Sequence, residues 1–184
     1  MSLRKPQLKS LELFSEYLKS IPGQLVLKRM IKDKRNNLDE ILTQSKEYLS
    51  NIPEAREFAE FERKFPAFTF ALATGVGKTR LMGAFVVYLY LVFNIQHFLI
   101  VAPNLTIYRK LKEDFSFPSN PKYVFKGIQE VNNSTAKIIT TDNYENYKQQ
   151  SLYGNEIEIS IFNVQQFAQK EMTTERGITK SSET

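Results

Sequence analysis

Ala73-Thr74-Gly75-Val76-Gly77-Lys78-Thr79 lies between two apolar runs, Phe68-Thr69-Phe70-Ala71-Leu72 before it and Arg80–Leu91 after it. The first run reads as a buried strand and the second as a helix. Strand, glycine loop ending in Gly-Lys-Thr, then helix is the setting a phosphate-binding loop requires. Gly75 and Gly77 open backbone angles closed to other residues, so that successive N–H groups converge on an anion. The helix that starts near Lys78 adds N–H groups outside its own ladder and the positive end of its dipole. Lys78 is long enough to reach β- and γ-phosphates. Thr79 carries the hydroxyl expected on Mg²⁺. The ligand so named is a nucleoside triphosphate with Mg²⁺. One position departs from the general pattern, which places a glycine five residues before Gly77; here that residue is Leu72.

At 184 residues the chain is long enough for one domain with a real core, or for a domain and an arm. A formal charge of +5 and a pI near 9.3 give a mild bias toward polyanionic partners. There is no cysteine, which excludes a disulfide framework, thiolate catalysis and cysteine-ligated metals. The single histidine, His97, heads an apolar strand and reads as structural. The N-terminus is charged and amphipathic rather than signal-like, and the run Leu81–Phe93 is too short to span a bilayer, so a cytoplasmic protein is expected.

Apolar residues at Leu8, Leu11, Phe14, Tyr17, Leu18 and Ile21 predict one amphipathic helix over residues 3–21, stopped by Pro22-Gly23. Further helices are predicted over Leu38–Leu49 and Glu54–Lys64. Beyond the loop, Phe98–Ala102 reads as a strand buried on both faces of a parallel sheet. Leu105–Phe115 reads as a helix. Tyr123–Phe125, Lys137–Thr140 and Ile157–Phe162 read as further strands, and the polar tail Glu171–Thr184 as disordered. The expected fold is α/β, a mostly parallel sheet flanked by helices. The expected organisation is a helical region over 1–65, a partial ATP-binding domain over 66–170, and a tail over 171–184.

These motifs resemble the N-terminal part of superfamily 2 (DEAD/DEAH-type) helicase-like ATPases, and more narrowly the restriction (Res) subunit of type III restriction enzymes. In that superfamily the loop reads Ala-Thr-Gly-x-Gly-Lys-Thr without the early glycine, as Leu72–Thr79 does here. The resemblance implies a RecA-like P-loop NTPase fold. It makes Leu3-Arg4-Lys5-Pro6-Gln7 similar to a Leu-Arg-x-x-Gln motif whose glutamine reads adenine. The candidate nucleotide ligands are therefore Gln7, Thr74, Gly75, Val76, Gly77, Lys78, Thr79 and Arg80, with Thr79 on the metal and Lys78 and Thr79 in the catalytic roles. Leu99–Leu105 resembles motif Ia and Ile159–Phe167 the next DNA-contact element. Pro103, Asn104, Asn163 and Gln165 are thus candidate contacts to the backbone of double-stranded DNA. An Asn cap and a DNA contact are compatible roles for Asn104. The resemblance also implies a methyltransferase partner subunit that supplies sequence recognition.

The acidic Asp-Glu motif that supports Mg²⁺ and orients water in this superfamily has no counterpart. The Asp39-Glu40 pair precedes the loop and sits on an amphipathic helix. The chain is therefore expected to be an incomplete domain that binds ATP without hydrolysing it. Two other readings stay open: a nucleotide-binding module that never hydrolyses, and a P-loop phosphotransferase, which would favour the glycine that Leu72 replaces.

Overall fold

A computed structural model of the chain describes residues 3–31, 37–56, 65–128, 130–131, 136–144 and 157–165. These fall into two compact units, one spanning Arg4–Val76 and the other running onward from Gly77.

The Arg4–Val76 unit is built on three helices: α1 (Lys5–Lys19), α2 (Ile21–Ile31) and α3 (Leu38–Ser50). Pro6 opens α1, where its missing N–H is no loss. Ile41, Ser45 and Leu49 recur at four-residue spacing and form the buried stripe of α3. Asn37 caps that helix by accepting the Asp39 N–H at 3.1 Å. Tyr17 of α1 is 1 % exposed and its hydroxyl lies 2.8 Å from Ser45 Oγ. Ser45 donates its own proton to Ile41 O at 2.7 Å, so Tyr17 is the donor in the pair. Burial pushes the Tyr17 phenol above its ordinary range.

The helix predicted over residues 3–21 is two helices. Ser20 ends α1 through its N–H, which donates to Glu16 O and Tyr17 O, and its hydroxyl accepts the Gly23 N–H at 3.4 Å. Pro22 therefore stands in the first turn of α2 instead of closing α1. Of the helix predicted over Glu54–Lys64, residues 54–56 form a turn and the remainder lies outside the described residues, as does the tail over 171–184.

Phe68–Leu72, predicted as a strand, carries no strand ladder. Its rings take their apolar contacts from α1 instead. Phe68 tilts against Tyr17 at a centroid distance of 4.6 Å, and Phe14 meets the edges of Phe68 and Phe70 at 6.1 and 5.9 Å.

The second unit contains α4 (Lys78–Phe93), β1 (His97–Ala102), α5 (Leu105–Ser116), β2 (Ala136–Ile139) and β3 (Ile157–Asn163). The three strands form a parallel sheet in the order β1-β3-β2. β3 lies between the other two, with Ile100 opposite Ile161 and Ile138 opposite Ile159. Period-two alternation puts Ile157, Ile159, Ile161 and Asn163 on one face, where all four are fully buried. Val86 and Val87 of α4 and Tyr108, Leu111 and Phe115 of α5 complete this core.

The other face is less covered than a strand buried on both sides requires, since Leu99 is 62 % and Val101 45 % exposed. Both α4 and α5 contribute to the core on the opposite face, which is why alternation rather than continuous burial governs β1. His97 is an exposed side chain paired across the strands with Glu158 at 3.0 Å.

Tyr123-Val124-Phe125, predicted as a strand, is a buried turn. Val124 N–H donates to Asp114 O at 2.9 Å, and Phe125 packs edge-on to Phe115. Gly83 lets α4 approach this turn, for a Cβ there would lie 2.8 Å from Val124 Cβ.

Asp114 is buried beneath the turn, with Asn120 donating to it at 3.3 Å. Desolvation lifts its carboxyl above the usual range, against the pull of Lys110 and Lys122. A raised carboxyl favours the fold below its ordinary pKa, and that contribution is lost as the pH rises through the folded value. Asp114→Asn is therefore expected to be neutral at acid pH and to stabilise toward neutral pH, by no more than about 1 kcal/mol after screening. Urea unfolding at several pH values checks this; a variant that loses stability as the pH rises would contradict it.

Candidate functional site

The glycine loop is built as a turn that feeds a helix. Val76 N–H reaches back to Ala73 O at 3.4 Å, and Gly75, third in that turn, has φ +81°, as a type II turn requires there. Gly77 has φ +95° and ψ 50° and caps α4. Both angles fall where an L side chain is strained. The α4 ladder begins with Leu81 N–H donating to Gly77 O at 3.1 Å. The N–H groups of the first α4 residues thus lie outside the helical ladder, at the positive end of its dipole. Lys78 and Thr79 are the first two residues of α4, with Lys78 exposed and Thr79 half-buried. No acidic side chain stands in the first turn to repel an anion. This donor set suits a phosphate group, and the hydroxyl of Thr79 is of the kind that ligates Mg²⁺.

Arg80, expected among the nucleotide ligands, is committed elsewhere. Its Nη1 donates to Tyr123 O and its Nη2 to Lys126 O, both at 2.9 Å. A cation in the first turn of a helix opposes the dipole, and these two carbonyls draw the guanidinium away to the buried turn.

In the Arg4–Val76 unit, Gln7 is buried at 2 % exposure. Its Oε1 accepts the Arg4 backbone N–H at 2.7 Å, which caps α1. The Arg4 side chain reaches 71 residues along the chain, and its Nη1 donates to Gly75 O at 2.9 Å. The N-terminal segment and the glycine loop are therefore brought together by Arg4, a residue to which sequence reasoning gave no role. The only signal for it in the sequence is its place inside Leu3-Arg4-Lys5-Pro6-Gln7.

The four candidate DNA residues gather at one end of the sheet. Ala102 and Asn163 are register partners at the carboxyl ends of β1 and β3, and Pro103, Asn104 and Gln165 follow directly. In open parallel sheets that end is where ligands bind. Pro103, Asn104 and Gln165 are exposed. Asn104 caps α5 by accepting the Ile107 N–H at 2.9 Å. Asn163 differs from the other three: its side chain is fully buried and its Oδ1 accepts the Gln165 N–H at 3.1 Å. It shapes the bend after β3 instead of facing outward.

No helix among the described residues is long and apolar enough to cross a membrane. No curated protein and no solved structure matches the chain. The model of one family, described as "Type III restriction enzyme, res subunit", matches residues 1–183, and the chain belongs to that family, with its parallel sheet and flanking helices part of a P-loop, helicase-type α/β domain.

Proposed function

We propose that this chain is the ATP-binding part of a DNA-dependent translocase or helicase of a type III-like restriction system, and that on its own it binds ATP without turning it over. The observation that carries the reading is the pair of positive-φ glycines, Gly75 and Gly77, leading straight into Lys78 and Thr79 at the start of α4. Lys78 meets the β- and γ-phosphates, and Thr79 ligates Mg²⁺, which when bound offsets phosphate charge. Thr74, Val76 and the two glycines supply backbone to the phosphates. Gln7 reads the adenine edge through its side-chain amide. Arg80 holds the buried turn against α4.

Pro103, Asn104 and Gln165 touch the phosphate backbone of double-stranded DNA, with Asn163 fixing the bend that presents Gln165. Such contacts position a protein on DNA without reading its sequence. Sequence choice then falls to a partner methyltransferase subunit. The lack of turnover rests on the 184 residues themselves, whose one Asp-Glu pair, Asp39-Glu40, precedes the loop.

Equilibrium dialysis against labelled Mg·ATP tests both halves. The nucleotide is expected to be retained and recovered as ATP, with or without duplex DNA. Sustained phosphate release that rises with DNA would overturn the claim of no turnover, and no retention would overturn the claim of binding.

A further inference from the structure

The bond from Arg4 Nη1 to Gly75 O, 2.9 Å long, joins the N-cap of α1 to the centre of the glycine loop. Arg4 is exposed, so its guanidinium is not there to satisfy a buried charge. Its own backbone N–H is held by Gln7 Oε1 at 2.7 Å, which fixes where the side chain starts. At the other end, Gly75 sits at φ +81° in a turn closed only by the long 3.4 Å bond from Val76 N–H to Ala73 O. Around Gly75 a Cβ would meet nothing within 4 Å, so packing does not hold the loop at that point. A glycine that is neither packed nor strongly bonded needs another restraint if its peptide is to keep one orientation. A peptide is planar, so anchoring the Gly75 carbonyl on one side keeps the next N–H, that of Val76, on the other, where it closes the turn on Ala73 O.

We infer that Arg4 is a positioning residue for the phosphate loop: it holds the Gly75 carbonyl away from the anion and so pre-sets the loop before any ligand arrives. This rests on the nucleotide-binding reading above for its consequence, though not for the contact itself. Preorganisation of this kind acts through the loop and not through the base. It follows that Arg4 supports any ligand with a polyphosphate chain, whether or not an adenine is attached.

The test compares wild type with Arg4→Met, which keeps most of the stem and removes the guanidinium, and with Arg4→Lys, which restores a charged donor. Two quantities are measured. The first is amide hydrogen exchange at residues 74–77 in the ligand-free protein. The second is affinity for Mg·ADP and for Mg·tripolyphosphate, which carries no base. Arg4→Met is expected to speed loop exchange and to weaken both ligands by a similar factor, roughly tenfold. Its unfolding midpoint should not move, and Arg4→Lys should recover part of the loss.

Two results would overturn the inference. One is loop exchange unchanged in Arg4→Met. The other is a loss confined to Mg·ADP, which would place Arg4 against the base. If wild type bound neither ligand, the nucleotide reading would fall, while the exchange data would still decide whether Arg4 holds the loop.

Discussion

Gly23→Ala is expected to destabilise the Arg4–Val76 unit by roughly 3 kcal/mol, a large part of what holds a domain of this size together. Helix propensity alone gives the opposite sign, since alanine is favoured over glycine by about 1 kcal/mol in a helix interior. Sterics decide the matter. A Cβ at Gly23 would lie 2.0 Å from Tyr17 O and 2.7 Å from Leu18 Cα. Those are backbone atoms of buried residues, with Tyr17 1 % and Leu18 3 % exposed, so they have no room to retreat. Moving Tyr17 would also break its bond to Ser45 and its contact with Phe68. The Ser20 corner between α1 and α2 would open, with Gln24 Nε2 losing its 2.8 Å bond to Leu18 O. Urea unfolding followed by far-ultraviolet circular dichroism reads this directly. A midpoint equal to or above that of wild type would show that the close approach of α1 and α2 is not as described.

Lys78→Ala is expected to weaken Mg·ADP at least about a hundredfold while leaving the unfolding midpoint unchanged. An ammonium about 4 Å from a phosphate charge is worth about 4 kcal/mol at the effective dielectric of a protein surface. Part of that is spent on desolvation, and the remainder corresponds to a factor of about a hundred, or 2.7 kcal/mol. Stability should not follow, because Lys78 is exposed and sits at the dipole end of α4 where a positive charge does not help the helix. The pairing of a large binding loss with an unmoved midpoint separates a ligand from a structural residue.

Much of this architecture is legible in the residues. Four-residue apolar spacing gives α3, the apolar run after Thr79 gives α4, and the alternation of Ile157, Ile159 and Ile161 gives the central strand of the sheet. The misses have physical causes. Pro22-Gly23 obeys the same local rules whether it ends one helix or begins another. Only the buried Leu27 beyond it shows that a helix follows. Phe68–Leu72 and Tyr123–Phe125 are apolar runs, and an apolar run shows what must be buried without showing the backbone that buries it. The first meets α1 with its rings; the second bonds to the end of α5 as a turn.

In the candidate site, the glycine loop was readable because its conformation is local. The tasks of Arg4 and Arg80 were not, because their carbonyl partners lie 71 and between 43 and 46 residues away. The burial of Asn163 likewise follows from its register with Ala102 and not from its neighbours in sequence.

Thr74–Thr79 is proposed to form a working phosphate loop within this chain. Calorimetric titration with Mg·ADP, run on wild type and on Lys78→Ala, tests it most directly. Saturable binding at one site is expected in wild type, and none in the variant at the same concentrations. Equal binding by both proteins, or binding by neither, would contradict it.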